Sequence, residues 1–157
     1  MTQKKKLTAG AWMALVTFVL IVASVVVYSM NISSAGYFQN ASVSNLMLFS
    51  ILSACCLALA VVLSMVKAQG AASKCVSLLC GALQIAAPVL LCVCLMNLAS
   101  ARVEGLGFIY FSNADVALEV QTAENLSSAT TAIVSMVCFG VSILFGMVTA
   151  FFNLKKD

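Results

Sequence analysis

Four long apolar runs, separated by short polar breaks, dominate the chain over residues 7–30, 45–66, 75–100 and 123–153. Each is as long as the roughly 20 residues a helix needs to cross the hydrocarbon of a bilayer. Within lipid every backbone N–H and C=O must find its partner inside the segment, which makes each run a helix. The pattern predicts an all-α membrane protein, an antiparallel four-helix transmembrane bundle with a small cap. Exterior loops over 31–44 and 101–122 would form that cap. The link over residues 67–74, KAQGAASK, is too short for anything but an antiparallel turn between neighbours, with Gly70 supplying the bend.

The fourth run carries the clearest internal pattern. Ser128, Thr131, Ser135, Cys138, Ser142, Gly146, Thr149 and Asn153 recur in steps of three and four. That spacing places them on one face of a helix. Small side chains let helix backbones approach closely in a membrane. The stripe is therefore expected to be a packing seam, or alternatively the lining of a pore in an oligomer. Thr122 is placed to cap this helix, with Glu124 in its first turn.

The third run holds Gln84 and the chain's only proline, Pro88. Proline lacks an N–H, so the carbonyl of Gln84 loses its helical donor and a kink is expected. The break reads as packing plus an interhelical hydrogen bond, or as part of a solute path.

The first run begins after a basic head and resembles the start of a signal peptide. Its apolar length exceeds the roughly 7–15 residues of such a segment, so it reads as a retained helix. Trp12 and Tyr28 near its ends suit two interfacial anchors. In the loop over 101–122, Gly105 and Gly107 suggest irregular backbone. Ser112 or Asn113 would cap a short helix from Asp115 to Val120. The loop is expected to fold down over the bundle as a lid. Glu104, Phe108, Tyr110, Phe111, Asp115, Glu119 and Glu124 form its candidate docking surface, aromatic anchors beside acids.

Charge changes the picture in one respect, orientation. The chain has eight Lys and Arg, five Asp and Glu and no His. Lys4, Lys5, Lys6, Lys67, Lys74, Lys155 and Lys156 all fall on one side of a four-span topology, and only Arg102 on the other. By the positive-inside rule both termini are cytoplasmic, with a bacterial cytoplasmic membrane the expected setting. The lysines form no patch of the kind nucleic acid requires.

Candidate chemistry is sparse. Seven cysteines all lie in or at the edge of apolar runs, where they read as small packing residues. Cys92 and Cys94 point about 200° apart on a helix and are ill placed to share a metal ion. The runs themselves contain no intramembrane carboxylate of the kind that drives proton-coupled transport. Three Asn-x-Ser sequons begin at Asn31, Asn40 and Asn125. No catalytic residues, metal ligands or cofactor site are predicted. The expected role is a non-enzymatic subunit, scaffold or accessory whose partners are the lipid bilayer and either further copies or another membrane protein. A homo-oligomeric channel for a small solute is the alternative, and a membrane thiol or metal enzyme a distant third.

Overall fold

The computed structural model describes residues 8–65, 71–152 and 154, the side chain of Ala71 excepted. Lys4, Lys5, Lys6, Lys67, Gly70, Asn153, Lys155 and Lys156 lie outside the described residues. Five helices follow one another: α1 (Ala9–Ser33), α2 (Leu46–Ser64), α3 (Ala71–Phe111), α4 (Ala114–Val120) and α5 (Ala123–Ala150). All but α4 are long and apolar enough to cross a membrane. The chain is an all-α integral membrane bundle. Its long helices pack as a ring, α1 on α5, α5 on α3, α3 on α2 and α2 on α1.

The helices bury many small and weakly polar side chains beside a few large ones such as Leu91, Leu98 and Phe139, and turn most of their Leu and Val outward. On α1 a buried series runs through Gly10, Ala14, Thr17, Ile21, Ser24, Tyr28 and Asn31, with Ala11 buried beside it. On α2 they are Leu46, Ser50, Ser53, Leu57 and Ala60. Both series alternate steps of four and three, the 3.5-residue period of helices that wrap left-handedly around one another. The opposite faces carry Val19, Val22, Leu59 and Val62, all exposed. Lipid is as apolar as Leu, so nothing drives large side chains inward. Close backbone approach and hydrogen bonds select the small ones for the seam.

At the end holding the termini, Thr8 caps α1 by accepting from Ala11 N and donates to the carbonyl of Leu154 at 2.9 Å. At the opposite, distal end the helices are unequal. Cys94 Sγ donates to Leu46 O at 3.6 Å, so α3 passes the start of α2 there and continues to Phe111, about 25 Å further at 1.5 Å per residue. The expected break at residue 100 is absent. Gly105 and Gly107 are helical, and the irregular backbone expected at them does not occur. The reason is packing: a Cβ at Gly105 would meet the Phe38 and Tyr37 rings at 2.6 Å, so the residue is small to admit those rings.

The lid is accordingly the other loop. Residues 34–45 fill the space that α1 and α2 leave beside the taller α3 and α5. Phe38 is buried there with Ile109, Val120, Ala129 and Ala132. Gly36 has φ +128°, and a Cβ on it would strike the Glu124 carbonyl at 2.6 Å, so only glycine fits. Tyr28 is buried and is no interfacial anchor: its hydroxyl accepts from Val43 N at 2.6 Å and ties the loop to α1. Trp12 is exposed. The short helix α4 follows Asn113, which makes no side-chain cap bond, while Thr122 caps α5 by accepting from Asn125 N at 3.2 Å.

Candidate functional site

The stripe on α5 divides in three. Ser128, Ser135, Ser142 and Thr149, spaced by sevens, are all buried, and Ser128, Ser142 and Thr149 bond to α1. Gly146 sits between helices, where an added Cβ would lie 3.2 Å from Pro88 and 3.7 Å from Thr17. Thr131 and Cys138 are only half-buried, and the Thr131 hydroxyl donates to its own helix at Ser127 O.

Helix α1 supplies the matching half. Thr17, Ser24 and Asn31 also recur by sevens, and they run antiparallel to the α5 series. Thr17 Oγ1 lies 3.0 Å from Thr149 Oγ1, and Ser24 Oγ lies 3.0 Å from Ser142 Oγ. All four hydroxyls also reach the carbonyl four residues back on their own helix. A hydroxyl has one proton, so in each rung one partner bonds its own helix and the other donates across. The next rung in this register places Asn31 opposite Ser135. Asn31 Nδ2 instead donates to Ser128 O at 2.8 Å, and Ser128 Oγ accepts from Phe38 N at 3.2 Å. Asn31 belongs to a sequon, yet it is wholly buried. Asn125, in another sequon, donates through Nδ2 to Val120 O, while Asn40 is exposed.

Gln84 and Pro88 are buried against the other side of α5. Gln84 Nε2 donates to Thr149 O at 3.0 Å and Phe152 O at 3.3 Å. These carbonyls lie at the C-terminal end of α5, where Thr149 O also accepts from Phe152 N at 3.1 Å and helix carbonyls run short of donors. The glutamine is thus an interhelical C-cap. Between α2 and α3, Ser53 Oγ donates to Ala87 O at 2.9 Å, and Cys80 and Cys94 are buried with sulfurs toward α2 carbonyls. Cys55 and Cys75 are exposed. Among the described residues no three His, Cys, Asp or Glu side chains converge as a metal site would require.

The distal end holds what the sequence concealed. Arg102, read as a loop residue, is 2% exposed and is the largest fully buried side chain among the described residues. Its Nη2 donates to Ala41 O at 2.7 Å, and its Cζ lies 4.6 Å from the centroid of the Phe38 ring. A cation over a ring gains about 0.5–2 kcal/mol, whereas burying a charge costs several kcal/mol unless it is paired. The four acids of this end, Glu104, Asp115, Glu119 and Glu124, are all exposed and do not enclose it. Arg102 Nε, Asn31 Oδ1 and Ser135 Oγ are buried without a hydrogen-bond partner.

Outside that core lies an exposed rim. Phe111 is 87% exposed and Leu118 90%, with Phe108 and Tyr110 also exposed. Tyr37 lies beside the Phe108 ring, 6.0 Å between centroids, so loop and α3 present aromatics together. Glu104, Asp115, Glu119 and Glu124 are exposed at the same end, and with Arg102 buried the exposed charge of the distal end is wholly acidic among the described residues.

These features define a class, a four-helix integral membrane bundle with a hydroxyl-lined seam and a capped distal end. Neither a protein-family model, a curated protein nor a solved structure matches the chain.

Proposed function

We propose that the protein is a non-enzymatic membrane subunit that docks a second membrane protein through its distal rim. The observation that carries this reading is the near-complete exposure of Phe111, about 25 Å beyond the level where α2 begins, and of Leu118 on the helix α4 that follows it. At that height they lie outside the hydrocarbon, where uncovered aromatics and leucines mark contact sites. Glu104, Asp115, Glu119 and Glu124 at the same end favour a partner that brings basic residues to an apolar pocket. The lysine distribution supports termini in the cytoplasm and the rim outside, with a bacterial cytoplasmic membrane as the setting.

A channel built from copies of this chain would need another polar lining. Ser128, Ser135, Ser142 and Thr149 are buried within a single chain.

The test is the native mass of the protein released gently from its source membrane. The expected result is co-release with a different chain, lost when Phe111→Asp and Leu118→Asp are combined. A wild-type chain that emerges alone, or a complex indifferent to the double substitution, would overturn the reading.

A further inference from the structure

We infer that Arg102, Asn31 and Ser135 form a buried binding site for a small oxyanion that keeps a hydroxyl, of the bicarbonate or hydrogen phosphate class. Three different helices supply the three unpartnered groups; one set of contacts links Arg102 to Asn31, and the helix register brings Ser135 beside them. Arg102 stacks on Phe38. Phe38 N donates to Ser128, whose carbonyl accepts from Asn31. The spacing by sevens puts Ser135 opposite Asn31, and Ala132, packed with Phe38, is one turn from Ser135.

Each unpartnered atom states what it lacks. Arg102 Nε is a charged donor that does not deprotonate in proteins. Ser135 Oγ differs from Ser142 and Thr149 in making no bond to its own helix, which leaves its proton available. The Asn31 amide nitrogen is committed to Ser128 O, so its Oδ1 is an acceptor waiting for a donor. One anion meets all three demands. Its charged oxygens accept from Nε–H and from the serine hydroxyl, and its own O–H donates to Asn31. It also supplies the counter-charge that no exposed acid of this end gives Arg102. A carboxylate or sulfate would leave Asn31 unsatisfied. Residues 34–45 cover the site through the Ala41 and Phe38 contacts to Arg102, so the anion enters when this loop lifts.

The experiment uses the full chain, purified in detergent and exchanged into chloride buffer at neutral pH. Its thermal midpoint is read against added bicarbonate, inorganic phosphate or sulfate at matched ionic strength. A ligand that binds only the folded state raises the midpoint in proportion to its occupancy. The expected result is a rise of several degrees with bicarbonate or phosphate and none with sulfate. Ser135→Ala, which removes one hydroxyl and no charge, keeps the fold and loses most of the rise; Arg102→Met loses all of it. Equal responses to all three salts, no response to any, or an undiminished rise in Ser135→Ala would each overturn the proposal.

Discussion

At Gly105 an added Cβ would come within 2.6 Å of two aromatic rings, and at Gly107, two residues on, it would meet nothing within 4 Å. The same substitution should therefore act with opposite sign at the two sites. Gly105→Ala forces Phe38 out of its place beside Arg102 and is expected to cost about 1–3 kcal/mol, the usual range for overpacking. Gly107→Ala gains up to about 1 kcal/mol of helix propensity. Thermal unfolding of both variants in the same detergent checks the pair, and equal midpoints would contradict the packing of Phe38 on α3. In the sequence the two glycines look alike, both read as loop residues. What separates them is a ring brought from residue 38, which no local pattern carries. Arg102 was hidden for the same reason. A lone arginine after an apolar run reads as the exposed flank of a helix, and only the Phe38 ring and the Ala41 carbonyl make an interior place for it.

The elements themselves were more legible, because lipid imposes length and hydropathy on each span. Helices α1, α2, α5 and the short α4 lie close to where the apolar runs and polar breaks placed them, and α3 begins near its expected start. The seam on α5 was visible as spacing, but its partner was not. Thr17, Ser24 and Asn31 are scattered singly through a valine-rich run, and the seven-residue step emerges only when α5 is laid antiparallel beside them. The end of α3 was misplaced because Arg102, Glu104, Gly105 and Gly107 look like a loop. The continuing helix is held by contacts to residues 34–45 and α5. The register makes a prediction at this scale. Thr17→Val and Thr149→Val each remove one hydroxyl from the 3.0 Å rung while keeping shape. Interhelical hydrogen bonds in membranes average about 0.6 kcal/mol by double-mutant cycles. The two substitutions combined should cost less than the sum of the singles by about that amount. Thr17→Val with Ser142→Val, drawn from different rungs, should be additive within error. A coupling of equal size in both pairs would dismantle the register.

For the molecule as a whole, the inequality of its helices matters most. The membrane has room for about 20 residues of helix, and α3 has 41. Its surplus, with the N-terminal turns of α5, extends past the start of α2 and builds the distal end of the described residues. On the orientation proposed from the lysine distribution, that end lies outside. Leu118 stands at its most exposed point, 90% accessible on α4, and its replacement by cysteine should leave stability within about 0.5 kcal/mol of wild type, as surface changes do. Of the native cysteines, Cys55 and Cys75 are exposed; Cys55 lies on the lipid face of α2, and Cys75 lies near the opposite end of the bundle. A membrane-impermeant maleimide applied to intact cells should therefore label Leu118→Cys strongly and the wild type weakly, and opening the cells should add label at Cys75 alone. Labelling of Leu118→Cys only after the cells are opened would invert the topology. The acidic rim would then face the cytoplasm, and the docking partner would have to be sought there.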